Sequence, residues 1–435
     1  MNDQNKLTRK EYLKKVVTNM IAHTTNPILR IIELVLLGKY ASKFSIAGLG
    51  IVMTILNTMD WILVFFRISI INSSAKLYRQ GKKSEQAKVL WEHVTLVLII
   101  GNGLILFREP IWHFFMWLYQ PEGAILSEAY TYFHIAIWGM PVTLVNYMIS
   151  GWLLGREQGR HAALLEIGLN IVSVVGCVLL VSVYDMGIAG MAEMFIISQV
   201  IVFLIGIFIL LKKERFVFKY LNEISICTPT EVWNNISREK NIILRTVCVV
   251  VVTNVVMATS CHIGNMVLII NTIMMQMKDV MAYLFEGIAT TIREIATKGI
   301  KDEDIDFWTE LHKMTLTNVM YAMIGLVVFY RITSIGLISV MTNEIDVKKF
   351  FLTYDGWLVV YPIFAGWGVS GYSLYAGHID DRLVRNIYII AIATFILTYI
   401  WALPMLGNHG LWLAFISFYL VRSIGLLFYD GHLYT

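Results

Sequence analysis

GWLLGREQGRHAALLEIGLNIVSVVGCVLLVSVYDMGIAGMAE (151–193) holds, between a basic turn and a Tyr-Asp-Met-Gly turn, an apolar run over 161–183 whose only charge is Glu166. About 20 such residues in a helix cross the hydrocarbon core of a bilayer. The run therefore reads as a membrane span, and the next apolar run, from 188, as its antiparallel successor. Working outward gives twelve candidate spans: about 13–38, 44–75, 86–107, 124–152, 161–183, 188–211, 241–264, 266–297, 312–330, 349–376, 385–405 and 409–429. The fold class expected is an all-α integral membrane protein.

Composition agrees. Of 435 residues 57% are hydrophobic and 15% charged, and the mean hydropathy is +0.65; soluble domains are far more polar. Twelve spans leave no room for a sizeable extramembrane domain. The net charge of +4 is spread over many connections, which argues against nucleic acid as a partner. Cys177, Cys227, Cys248 and Cys261 are scattered without CxxC spacing, so neither a disulfide framework nor a zinc site is expected. The opening MNDQNKLTRKEYLKK has no separate apolar core with a cleavage site, and the first apolar run is expected to be a mature helix.

Lys and Arg alternate in density from one connection to the next. With twelve spans, 24 fall on the side of the amino terminus and six on the other, the remaining five lying within spans. Positive charge stays inside, so both termini are expected in the cytoplasm of a multi-pass protein of the cytoplasmic (inner) membrane.

The halves share punctuation. Pro141 and Pro362 are 221 apart, Gly155 and Gly377 are 222 apart, Arg160 and Arg382 are 222 apart, and Gly187 and Gly410 are 223 apart. A near-constant offset marks a repeat. Six spans per repeat start on the same side, so two six-helix lobes related by a pseudo-two-fold axis along the membrane normal are expected, an arrangement found among secondary transporters. The expected division is an amino-terminal lobe over 1–211, a cytoplasmic linker over 212–240 and a carboxy-terminal lobe over 241–435. No GxxxxGK[ST] loop is present, which argues against ATP-driven transport by this chain. Nor is there an HExxH, a GxSxG or a paired-Asp motif in a span, so an enzyme is not expected.

The 151–193 stretch resembles the fourth-to-sixth-span signature of the multidrug and toxic compound extrusion (MATE) transporters: a Gly before a basic turn, an Asn–Ile pair in the fifth span and a Gly-Ile-Ala-Gly opening of the sixth. FFRISIINSSAKLYRQGKKSE (65–85), GHIDDRLVRN (377–386) and LPMLGNHGLWLAF (403–415) are similar to the DinF branch of that family. The resemblance implies a secondary active transporter, a proton-coupled antiporter exporting amphipathic organic compounds or drugs by alternating access. Its partners would be a small organic substrate, protons and membrane lipids, with no cofactor and the proton gradient as energy source. Two alternatives stand: a lipid-linked oligosaccharide flippase of the same superfamily, whose cavity would use Arg30, Arg67 and Arg245 on pyrophosphate, and a non-transporting relative.

Charges at bilayer depth cost about 2.5–3.5 kcal/mol each on insertion scales and mark function or pairing. In IAHTTNPILRIIELVLLG (21–38), Pro27 should bend the first helix and Glu33 follows six residues later. Glu33 falls on the protonation site that the resemblance implies, although the family usually has Asp. The alternative is a structural pair with Arg30 at i−3. Glu166 and Asn170 share a face of the fifth span. Asn170 matches the family Asn, while Val174 stands where an acid often follows. Glu166 either substitutes for that acid or approaches the interface beside Arg160.

Asp60 and Arg67, seven apart in the second span, suggest an internal pair or cavity lining. Glu286 stands where the branch often has Asp. Tyr372 takes the tenth-span position at which sodium-coupled relatives have an acid, and the seventh span offers only Arg245, which disfavours a sodium cage. Pro27, Asp60, Arg67 and Tyr372 are expected to line the substrate cavity, and Glu33, Asn170 and Glu166 to take part in proton coupling. His23, ten residues before Glu33, is a further relay candidate.

Overall fold

The computed structural model describes residues 9–223, 240–299, 305–375 and 381–433. Among these the secondary structure is helical throughout. In chain order the α-helices are α1 (Arg9–Tyr40), α2 (Lys43–Arg79), α3 (Lys83–Leu106), α4 (Arg108–Tyr119), α5 (Gly123–Ala136), α6 (Met140–Gly155), α7 (Gly159–Cys177) and α8 (Gly187–Lys213). They continue as α9 (Lys240–Ile263), α10 (Asn265–Gly299), α11 (Ile305–Met341), α12 (Ile345–Tyr354), α13 (Gly356–Ser370), α14 (Asp381–Leu406) and α15 (Asn408–Leu433).

Eleven helical stretches among the described residues are long and apolar enough to cross a membrane. The remaining expected span, 349–376, is in two pieces. α12 ends at Tyr354, Asp355 stands at the break, and α13 runs on through a 3-10 segment, Gly371–Tyr375. A short helix, α4, lies in the expected connection after α3, and α12 starts four residues ahead of the expected 349–376 span. α4, REPIWHFFMWLY, docks on α5 through the Trp112 ring, 5.3 Å from Phe133 and 5.6 Å from Tyr130. Hydropathy alone misses such helices because they are too short to span. The fourth span is also interrupted, by a 3-10 turn at Ile137–Gly139, with Pro141 in the first turn of α6 where a missing N–H costs nothing.

Contacts divide the described chain into two compact units. One joins residues up to Val35 to those from Val251 on, and the other is Leu36–Val250. In the second, α2, α3, α6 and α8 enclose a core around Ile70, Leu90, Leu144, Trp152 and Leu210. The 3-10 segment Arg215–Glu223, which belongs to the expected linker, seals that core: Val217 is fully buried and its carbonyl accepts from the Trp91 indole at 2.9 Å.

In the other unit α13 lies against α10, α11 and α15, and α14 pairs with α15 across a tight turn. Gly407 makes that turn with φ +56, the left-handed conformation that Gly187 adopts before α8 with φ +54. Gly410, which the repeat offset pairs with Gly187, is packed against the Ala402 carbonyl. Gly377, another of the repeat marks, lies outside the described residues.

Candidate functional site

Small residues bring α1 onto α10. A Cβ on Gly287 would stand 2.5 Å from the Met20 Cα, so only glycine permits this approach. The contact is fixed by Asn19 Nδ2 donating to Thr291 Oγ1 at 2.9 Å and by a 3.0 Å hydrogen bond between the His23 ring and Thr290. Pro27 lies inside α1 and cannot donate to the carbonyl four residues back. Beyond it Glu33 is buried, 4% exposed, and accepts from Arg30 Nη1 at 3.0 Å. The pair expected at i−3 therefore forms, and it neutralises a carboxylate at a depth where an unpaired one is costly.

α10 carries two more charge pairs. Lys278 Nζ stands 2.5 Å from Asp279 Oδ1, and Arg293 Nη2 stands 3.6 Å from Glu286 Oε1. Asp279, Tyr283 and Glu286 are spaced to share one face of the helix, and Tyr283 is within electrostatic reach of Arg30, Lys278, Asp279 and Glu286. Tyr372 enters the same group from the 3-10 segment after α13. Its hydroxyl accepts from Arg293 Nη2 at 2.6 Å, and its ring lies 5.5 Å from that guanidinium.

In the unit Leu36–Val250 a second network joins three of the sequence-derived residues. Arg67 on α2 forms an ion pair with Glu166 on α7. Ser150 on α6 lies 3.4 Å from Arg67 and 3.5 Å from Glu166. The Tyr147 ring faces the Arg67 guanidinium at 5.8 Å, and its hydroxyl donates to Asp60 Oδ2 at 3.4 Å. Asp60 and Arg67 thus belong to one network through Tyr147, and the Glu166 carboxylate is held by Arg67. Asn170 is buried one turn along α7.

At the end of the same unit Arg156 is a buried hub. It pairs with Glu214 at 2.9 Å, donates to Gln86 Oε1 at 2.5 Å and is enclosed by the rings of Tyr78, Trp152 and Phe216 at 5.3, 4.7 and 5.1 Å. Burial pushes its pKa down from the usual arginine value, and the Glu214 carboxylate opposes that.

Sequence reasoning missed Tyr147, Ser150, Arg293 and the Lys278–Asp279 pair as site components. Only the last left a signal, two adjacent opposite charges within NTIMMQMKDVMAYLF (271–285). Among the described residues no group of three or more His, Cys, Asp or Glu comes together as a metal site would need.

Comparison with known proteins gives one answer by three routes. Residues 20–179 match the MatE family model. The DNA damage-inducible protein F of Escherichia coli (strain K12) is 23% identical over 417 residues, 94% of this chain and 88% of the relative. Among solved structures, an inward-facing multidrug resistance MATE family transporter of the MOP superfamily superposes with a TM-score of 0.85 at 13% identity, over 95% of this chain and 98% of that one. A MOP superfamily transporter from Pyrococcus furiosus superposes with a TM-score of 0.75 at 14% identity, over 98% and 96%. The fold is that of the MATE family transporters, and the MatE match over residues 20–179 agrees with the resemblance carried by 151–193.

Proposed function

We propose that this chain exports amphipathic organic compounds in exchange for protons by alternating access, from a cytoplasmic membrane in which both termini face the cytoplasm. The observation that carries the coupling role is Glu33, buried in a span, paired with Arg30 and placed just past a proline. Protonating that carboxylate removes one buried charge and leaves Arg30 to find another partner. Each pKa unit of such a change is worth about 1.36 kcal/mol between two conformations, enough to bias a two-state equilibrium. The proton gradient is the energy source and no cofactor is needed. A carrier working on potential alone gains about 2.3 kcal/mol per charge per 100 mV.

The pairing of Arg30 and Arg67 with Glu33 and Glu166 speaks against the flippase reading, because those guanidiniums already have carboxylate partners. Pro27, Asp60, Arg67 and Tyr372 are proposed to line the substrate cavity, and Asn170 and Glu166 to take part in proton coupling with Glu33.

The test is transport of a fluorescent organic cation into proteoliposomes under an imposed pH gradient, comparing the native chain with Glu33→Gln. Gradient-driven flux that disappears in the variant is expected. Undiminished flux in Glu33→Gln would move the coupling site elsewhere, and flux indifferent to the gradient would remove proton coupling.

A further inference from the structure

The Lys278–Asp279 pair has no part in the mechanism above, yet its setting is unusual. Lys278 is almost fully buried, its side chain 8% exposed, while that of Asp279 is 32% exposed. The ammonium lies 5.7 Å from the centre of the Phe415 ring. Phe415 packs against Tyr419 at 5.1 Å and Tyr361 at 6.4 Å, and Tyr361 and Tyr419 are 5.1 Å apart. All of these residues belong to one unit, on α10, α13 and α15.

One carboxylate beside a cluster of aromatic rings is the arrangement that recognises organic ammonium and onium ions. Here it is filled by the protein's own ammonium. Among the described residues the other titratable or charged groups facing this place are Tyr283 from α10, Tyr361 from α13, and Tyr419 and Arg422 from α15, with Arg30 from α1 and Glu286 from α10 within electrostatic reach of Tyr283. Arg422 is committed elsewhere, donating to the Gly368 carbonyl at 3.3 Å and lying over the Tyr388 ring at 4.4 Å. Asp279 can therefore balance one cation. A lysine displaced from its carboxylate while still buried is costly as an ammonium and readily gives up its proton, which an arginine does not.

We propose that Asp279 with the Phe415, Tyr361 and Tyr419 rings is an organic-cation site whose resident is the Lys278 ammonium, so that one monovalent cation enters as one proton leaves Lys278. The charge inside is unchanged: the cation takes the place of the ammonium, and Lys278 remains as a neutral amine. Release reverses both steps. This deepens the proton-exchange reading and rests on it for direction, but it concerns a carboxylate other than Glu33.

The experiment is equilibrium binding of tetraphenylphosphonium to the detergent-solubilised full chain between pH 6 and pH 9, without any gradient. For the native chain affinity is expected to rise with pH, by up to about tenfold per unit where one proton is exchanged per cation. Lys278→Met should bind more tightly with little pH dependence. Lys278→Arg, which keeps the pair and with it the fold, should not bind at any pH in the range, and Asp279→Asn should lose binding. Glu33→Gln should keep the rise of affinity with pH, whatever its absolute affinity.

Absence of binding to the native chain, a native pH slope in Lys278→Met, or native binding by Lys278→Arg would each overturn the site. If Glu33→Gln alone abolishes both binding and gradient-driven flux, the coupling reading stands and this one falls. If it abolishes flux while the pH-linked binding persists, both stand.

Discussion

The Arg67 guanidinium on α2 holds the Glu166 carboxylate on α7, two side chains 99 positions apart that no spacing in the sequence connects. Tyr147 stacks on the same guanidinium and donates to Asp60, so one arginine organises residues from three helices. Arg67 is thereby a tie between spans.

For that tie, Glu166→Gln is expected to lower thermal stability in detergent modestly. Both partners are partly exposed, and such a pair contributes about 0.5–1 kcal/mol. Exchanging the charges, Arg67→Glu with Glu166→Arg, should recover part of the loss in a double-mutant cycle. Two independent, additive effects would show that the pair is not coupled.

Arg156 should behave differently because both it and Glu214 are about 8% exposed. Arg156→Met leaves a buried carboxylate without its cation, for which a loss of about 3–5 kcal/mol is expected. Adding Glu214→Leu should restore much of it. The quantity to measure is the unfolding midpoint of the three variants under identical detergent and lipid.

At Gly287 even a methyl group collides with the α1 backbone. Gly287→Ala is expected to cost about 1–3 kcal/mol, the usual range for overpacking, whereas Gly325→Ala, with nothing within 4 Å of the added carbon, should be near neutral or slightly stabilising. Equal melting shifts for the two would remove the argument that α1 depends on this approach.

Pro27→Ala supplies the N–H that α1 lacks. Replacing proline in a helix interior favours the helix by up to about 3 kcal/mol. The variant is expected to melt higher and to transport more slowly, because a straight, stiffer α1 responds less to the charge on Glu33. Unchanged flux together with a higher midpoint would separate the proline from the transport cycle.

The membrane-spanning runs, the resemblance to the MATE transporters and the Arg30–Glu33 pair were legible in the sequence because each depends on neighbours along the chain. Hydrophobic runs report length, and an i, i+3 pair needs no knowledge of other elements. What was not legible depends on which helices touch. The break at Asp355 sits inside a run of otherwise acceptable hydropathy, α4 is too short to register as a span, and Tyr147 and Ser150 look like ordinary residues of an apolar helix. Lys278 and Asp279 were visible as a charged dipeptide, but the rings that give the pair its setting come from α13 and α15, more than 80 residues away.

The grouping of α1 up to Val35 with residues from Val251 onward has a consequence for biosynthesis. At about 5–20 residues per second, the ribosome takes on the order of ten seconds or more to reach the helices on which α1 will pack. During that interval Glu33 and Arg30 are in the membrane with each other for company but without α10. A nascent first helix carrying its own counter-ion can wait there without a chaperone to shield the charge, so the Arg30–Glu33 pair also makes the order of synthesis tolerable.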